Sequence, residues 1–302
     1  LSSTLEHPAS MSAMKKWAKN TQRNHIIVEH NDDSGSVDEQ AYIKKLTSDV
    51  RIVSIVHTSP VTGMTVDLEK ITKEVRNVTP DCIIIVDGIQ HSSHGAIDVQ
   101  KYDIDGYVVS PYKMFSRHGY GVAWASDRLC TLNKEQLADG PFQNWELGTR
   151  DAGSYATFSD VVDYLDWLGS NFTESEDTRE RLEASSIAIK SHEQELVDLV
   201  INGAEDIVGL KNNKEIRIIG NPASNSREGV VSFFQKNKPS SMIVEELRQR
   251  KIRVHIRKDD HYCGNILRPL NQKDCIRFSI CHYNSKAEVV EFLKAINEII
   301  AN

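Results

Sequence analysis

Residues 25–125 alternate short apolar runs with segments of helical spacing, and this alternation constrains the fold more than any other feature of the chain. The runs at 25–28, 52–56, 83–86, 107–109 and 121–125 have the length and β-branched content of buried strands. Segments 11–19, 38–46 and 68–76 carry their apolar residues on one helical face, and Val37-Asp38 and Val66-Asp67 supply N-terminal caps for the last two. Strands and helices in turn build a mainly parallel sheet covered by helices. Between Ser110 and Gly121 there are too few residues for a helical crossover, so the last two strands are expected to run antiparallel.

The second half has a different texture. A helix is expected over 155–168, with Val161, Val162, Leu165 and Leu168 on one face, bridging two domains. The charged run 173–181 reads as the solvated start of a helix that continues through Leu196, Val197 and Val200. Strand-like runs at 216–219, 230–234, 253–256 and 276–280, with helices at 242–249 and 287–300, give a smaller α+β domain. With 302 residues the chain lies where single cores begin to divide, at roughly 250–300 residues. The expected division is a large domain at 1–160, then a linking helix and small domain at 161–302.

Hydrophobic residues at 39% and charged residues at 26% are ordinary for a globular chain and unlike a disordered one. A net charge of −7 with scattered Lys and Arg argues against a nucleic-acid partner, whose affinity rests on neutralised phosphates. No apolar stretch approaches a membrane span and the first residues lack a signal-peptide pattern, so the expectation is a cytoplasmic protein without a membrane partner. The five cysteines are odd in number and lack C-x-x-C pairing, which speaks against a disulfide framework or a bound metal.

The chemistry is concentrated at two strand ends. The run 106–110 closes in Ser110-Pro111-Tyr112-Lys113, and the run 82–86 closes in Asp87, with Gln90 just beyond. In open α/β sheets, ligand sites gather at the carboxyl ends of strands. An amine, a carboxylate and an amide placed there are the parts needed to hold pyridoxal phosphate, with Lys as the Schiff base and Asp on the pyridinium nitrogen. Singly, each has an ordinary role: a solvated loop lysine, a turn-capping Asp, a loop amide.

From Glu6-His7 almost to its C-terminus the chain resembles the class V aminotransferases, in the branch of cysteine desulfurases, selenocysteine lyases and isopenicillin-epimerase-like proteins. Five segments carry the resemblance: Glu6-His7-Pro8-Ala9-Ser10, Val86-Asp87-Gly88-Ile89-Gln90, Ser110-Pro-Tyr-Lys113, Glu146-Leu-Gly-Thr149, and Ile276-Arg277-Phe278-Ser279 with Tyr283-Asn284. The resemblance implies fold type I of the pyridoxal-phosphate enzymes, with one reversed strand in the large domain. His7 would stack on the pyridine ring, Asp87 would hold its nitrogen, Gln90 its phenolic oxygen, and Lys113 the Schiff base. Ser110 and Tyr112 would donate to the phosphate, and Thr149 would reach the cofactor phosphate of a second subunit in a homodimer. Arg277, and Arg257 beside it, would grip the carboxylate of an amino-acid substrate. The small-residue phosphate loop that relatives carry upstream is not found, so the N-terminal part of the large domain is expected to be absent.

Cys263 divides the possible reactions. In desulfurases a loop cysteine near this place attacks the substrate sulfur, which needs an exposed thiolate. Against that role stand Tyr112 where desulfurases carry histidine, the Asp259-Asp260 flank, which tends to raise a thiol pKa, and Pro60 in place of a substrate-facing asparagine. Cys82, Cys275 and Cys281 read as core. Desulfurase-like C–S lyase chemistry, epimerase-like or aminotransferase chemistry, and a catalytically dead binding protein with this fold all remain open at this point.

Overall fold

The computed structural model describes every residue except Gln143, Ser224 and Asn302. In the first half the elements are β1 (Ser2–Ser3), α1 (Pro8–Asn20), β2 (Ile27–Val28), α2 (Glu39–Ile43), β3 (Ile52–Val56), α3 (Leu68–Val78), β4 (Ile83–Asp87), β5 (Gly106–Val109), β6 (Val122–Ala125) and α4 (Asp127–Cys130). Strands β3, β4 and β5 are neighbours and parallel, and β6 pairs antiparallel to β5 with Gly106 opposite Ala125. The short connection after Ser110 therefore reverses the chain as its length requires. Strands β1 and β2 form a parallel pair beside this sheet, joined to β3 by the Ser54 amide donating to the Leu1 carbonyl.

Burial explains the pattern of the runs. Four of the five residues of β3 are buried, as expected of a parallel strand covered on both faces. Helix α3 buries Leu68, Ile71, Thr72 and Val75, one stripe at helical spacing, and Asp67 caps it by accepting from the Lys70 amide. Asp38 does the same for α2 through the Ala41 amide. At the end of the sheet away from the strand carboxyl termini, fully buried Asp105 accepts from Arg76, Arg128 and the Ile84 amide. A buried charge is tolerable there because every lone pair has a donor.

The second half comprises α5 (Ala152–Gly169), α6 (Thr178–Asn202), a short hairpin of β7 (Gly203–Ala204) and β8 (Ile207–Val208), then β9 (Ile216–Ile218), β10 (Val230–Gln235), α7 (Ser240–Gln249), β11 (His255–Lys258), α8 (Gly264–Leu267), β12 (Asp274–Ser279) and α9 (Lys286–Ala301). The sheet order is β11-β12-β10-β9, antiparallel throughout. Its core joins Leu196, Val197 and Val200 of α6 to Phe233, Ile276, Phe292 and Ile296. Helices α5 and α6 pack so closely at Gly169 that a Cβ there would lie 1.9 Å from the Arg181 carbonyl oxygen. Of the four residues expected to form the buried face of α5, only Val161 is fully buried, and Trp167 is 62% exposed.

The boundary near residue 160 is not a clean division of the packing. Ile219, Phe234, Cys263, Ile266, Leu267 and Cys275 join the core of the first half, so the second sheet is seated on the first through its own apolar side chains.

Candidate active site

A cavity of about 570 Å³ opens where the carboxyl ends of β3, β4 and β5 meet the edge formed by β11 and β12. The first half contributes His7, Pro60, Gln90, Tyr112 and Lys113 to its wall, and the second half Arg257, Cys263, Arg277 and Cys281. Residues more than 250 positions apart, His7 and Arg277 among them, thus share one wall.

Lys113 sits on a 3₁₀ turn, Pro111–Met114, that begins directly after β5; Pro111 fits the first position of such a turn because its amide would have no partner there. Its Nζ donates to Gln90 Oε1 at 3.0 Å. Burial lowers its pKa to about 8, helped by the Arg277 and Arg257 guanidinium groups and opposed by Asp87. Asp87 ends β4 and accepts from the Ile89 amide at 3.1 Å. Burial pushes its carboxyl above the usual range, against the pull of the Ile89 amide, His7 and Lys113. The next residue must be glycine, since a Cβ on Gly88 would lie 2.0 Å from the Tyr107 ring.

His7 is the N-cap of α1, its Nδ1 accepting from the Ala9 amide at 3.2 Å. That bond leaves the proton on Nε2. Burial lowers the imidazole pKa, with Asp87 pulling it up and Lys113 pushing it further down. Beside it, buried Glu6 accepts from the Val56 amide and the Ser3 hydroxyl, and burial raises its pKa to about 8.

Arg277 on β12 donates through Nη1 to the Pro60 carbonyl at 3.2 Å and has no carboxylate partner among the described residues. A buried ion pair, the structural role open to such a residue, is not what holds it. Burial lowers its pKa to about 10, so it stays charged at neutral pH. The Nε atoms of Arg257 and Arg277 are both buried without a hydrogen-bond partner. Two uncompensated guanidinium groups on one cavity wall are costly unless an anion completes them.

Of the other expected site residues, Tyr112 reaches the wall, whereas Ser110 and Thr149 do not. Tyr112 is 41% exposed and stacks on His118 with centroids 4.4 Å apart. Ser110 accepts through its carbonyl from the Lys113 amide and lies outside the cavity wall. Thr149 is exposed on a segment where Glu146 pairs with Arg150 and with the Tyr155 hydroxyl, away from this cavity.

Cys263 lies in the wall but is only 1% exposed, packed with Ile266, Leu267 and Cys275. The polar residues before it face outward: Asp259 pairs with Arg268, and Asp260 caps the turn by accepting from the Tyr262 and Cys263 amides. Burial is the main reason its thiol pKa is raised, with Arg257 pulling it down and Asp260 adding a smaller push. Cys82 and Cys275 are core residues, whereas Cys281 is half-buried and lines the cavity, because β12 ends at Ser279 and the chain turns there.

Sequence reasoning did not pick out His94. It is 3% exposed, four residues past Gln90, and also lines the cavity. The spacing Gln90-x-x-x-His94 was visible, but no local signal ties such a histidine to a glutamate on α6.

The residues fit pyridoxal phosphate. The amine has a lowered pKa, a carboxyl lies behind it, and the uncompensated arginines face the bay where a carboxylate would bind. No group of three or more His, Cys, Asp or Glu side chains is placed to hold a metal ion among the described residues, and none of the described helices is long and apolar enough to cross a membrane.

Comparison with known proteins agrees with the fold. The profile of the family "Aminotransferase class-V" matches residues 1–292. The chain is 26% identical to the aminotransferase-like protein FGM3 of Gibberella zeae over 84% of its length, spanning 60% of that protein. It is 24% identical to a probable cysteine desulfurase of Pseudomonas putida over 98% of its length, spanning 70% of that protein. Among solved structures, the cysteine desulfurase CsdA of Escherichia coli superposes with a TM-score of 0.78 at 22% identity, covering 99% of this chain and 71% of that one. A cysteine desulfurase of Thermococcus onnurineus gives 0.80 at 20% identity, covering 99% and 72%. With the α/β fold, the reversed strand and a family match over nearly its whole length, the chain belongs to the class V aminotransferase family.

Proposed function

We propose that this chain acts as a pyridoxal-phosphate enzyme on an α-amino acid, with Lys113 as the cofactor-binding amine. The observation that carries the reading is the Lys113 amine: half-buried on the cavity wall, hydrogen-bonded to Gln90 at 3.0 Å, with its pKa lowered to about 8. Bound there, pyridoxal phosphate supplies an electrophilic carbon and an electron-withdrawing pyridinium ring. Lys113 provides the nucleophilic amine and afterwards moves a proton at the substrate α-carbon. Asp87 would hold the ring nitrogen in its protonated form, and His7 would cover one ring face. Arg257 and Arg277 orient the substrate carboxylate.

For the reaction itself, desulfurase-like C–S cleavage is supported by the names of the relatives and by Cys263 in the cavity wall. A second reading, epimerase-like or aminotransferase chemistry that needs no thiol, is favoured by one observation: Cys263 is buried with a raised pKa, the opposite of what a sulfur-attacking thiolate requires. A catalytically dead relative of the same fold would bind cofactor without turnover.

The test has two stages. The protein is mixed with pyridoxal phosphate, reduced with borohydride and peptide-mapped; the adduct is expected on Lys113 and lost in Lys113→Ala. Wild type and Cys263→Ala are then given L-cysteine, and alanine and protein persulfide are measured. Persulfide at Cys263 selects the desulfurase branch; alanine from neither protein, with α-proton exchange retained, selects the second reading. An adduct on another lysine would overturn the assignment altogether.

A further inference from the structure

Apart from the cavity that holds Lys113, a second one of about 240 Å³ lies between the turn 91–94 after β4, helix α6 and the residues just before β10. Exposed Asp67, Lys190 and Asn225 form its outer wall, and buried His91, His94, Glu193, Arg227 and Glu228 its inner one. Among the described residues, only His94 belongs to both cavities.

The inner wall is built from two pairs, each with one oxygen left over. Glu193 Oε2 lies 2.7 Å from His94 Nδ1, and Glu228 Oε1 lies 2.5 Å from His91 Nδ1, with both glutamate side chains more than nine-tenths buried. The second oxygen of each, Glu193 Oε1 and Glu228 Oε2, is buried and has no hydrogen-bond partner among the described residues. Arg227, 2% exposed, donates through its terminal nitrogens to the Thr62, Val230 and Ile219 carbonyls. Its Nε–H is likewise buried without an acceptor among the described residues.

Charged groups left unpartnered in an interior are costly, and these three atoms make opposite demands. Two carboxylate oxygens need donors, and one guanidinium N–H needs an acceptor. A metal ion would serve the oxygens alone, and no three His, Cys, Asp or Glu side chains are placed to hold one among the described residues. A single small molecule carrying both an ammonium and a carboxylate serves all three. Burial pushes the Glu193 carboxyl pKa up and Glu228 adds to the push, against the pull of His94 and His192. An ammonium beside both carboxylates relieves that repulsion. On the outer wall Asp67 is already engaged with Lys70 and with the start of α3, which leaves the Lys190 ammonium as the second cation for a bound carboxylate.

We propose that this cavity binds a small α-amino acid as its zwitterion, the ammonium donating to Glu193 Oε1 and Glu228 Oε2 and the carboxylate accepting from Arg227 Nε and Lys190. The site is separate from the Lys113 cavity and does not depend on the cofactor reading. His94 lies 3.1 Å from the Gln90 amide nitrogen, and Gln90 accepts from Lys113, so the occupied site adjoins the proposed active site through one shared side chain.

Glycine is the probe, titrated into the full chain labelled with ¹³C and ¹⁵N, without cofactor, and followed by NMR. Saturable shifts are expected at the Glu193 and Glu228 carboxylate carbons and at Arg227 Nε. N,N,N-trimethylglycine, which keeps both charges but has no N–H donor, should produce none of them. Glu193→Gln should weaken glycine binding about ten-fold or more, and Glu228→Gln, on the other pair, should do the same and carries the test if the first variant does not fold. The shifts should persist in Arg277→Gln; shifts lost there would place glycine in the Lys113 cavity and overturn the proposal. Lys190→Met should bind glycine no more tightly than wild type, since tighter binding would make Lys190 itself the partner of the two glutamates. Equal shifts with trimethylglycine, or no saturable shift with glycine, also overturn it.

Discussion

Lys113 and Gln90 meet across the ends of two adjacent parallel strands, the ammonium donating to the amide oxygen at 3.0 Å. No carboxylate forms an ion pair with Lys113 among the described residues, and burial, helped by the Arg277 and Arg257 guanidinium groups, depresses its pKa. A lysine so placed gives up its proton easily, which is what a nucleophilic amine requires.

The pH dependence follows directly. With a pKa of about 8, Lys113 is roughly 10% neutral at pH 7, against about 0.03% for an ordinary lysine. Borohydride-trapped pyridoxal phosphate at Lys113 should rise with pH along a curve centred near 8, measured by mass spectrometry. Between pH 8 and the ordinary lysine pKa the unfolded chain binds the extra proton, so Lys113's contribution to stability increases with pH over that window. Lys113→Met should remove this rise from a series of thermal melts.

Asp87→Asn should lower turnover by about 10²-fold or more while leaving the fold intact, since it removes the charge opposing the ring nitrogen. Its carboxyl pKa is raised in the folded state, so ionisation of Asp87 weakens the fold as pH climbs from the unfolded pKa through the folded one. The melting temperature of the variant at pH 8 should therefore match or exceed wild type, a result read by calorimetry alongside steady-state assays.

Arg277→Lys replaces a planar fork with a point charge. KM for an amino-acid substrate should rise about 10- to 100-fold, the range expected for one lost hydrogen bond to a charged group. A smaller change in kcat should accompany it. Unchanged KM would assign carboxylate binding to Arg257 alone.

Phe142, Trp145 and Leu147 are 44%, 46% and 47% exposed just before Thr149, an apolar stretch suited to burial against a second copy of the chain. Sedimentation should give a two-fold dimer, the commonest symmetric assembly. Leu147→Arg should shift it to monomer, and Thr149→Val should keep the dimer but weaken cofactor affinity about ten-fold.

Much of the fold was legible because it is written locally. The alternation of apolar runs gave the strands, the Asp38 and Asp67 caps gave two helix starts, and the short span after Ser110 dictated a reversed strand. Lys113, Asp87 and Gln90 were legible for the same reason, since strand ends in such sheets converge. The two arginines could be named from their strands, but only the antiparallel pairing of β11 with β12 and its seating on the first core aim them at Lys113. Cys263 shows the limit: its acidic flank spoke against a reactive thiolate, but only packing against Ile266, Leu267 and Cys275 buries it. His94 and Glu193, ninety-nine positions apart in the chain, form a pair that no local pattern announces. Sequence alone determined the elements and which residues stand at their ends, because propensity, capping and loop length act over a few residues. Tertiary structure decided which side chains share a cavity and which thiol is hidden, because burial and long-range hydrogen bonds depend on elements that meet only after folding.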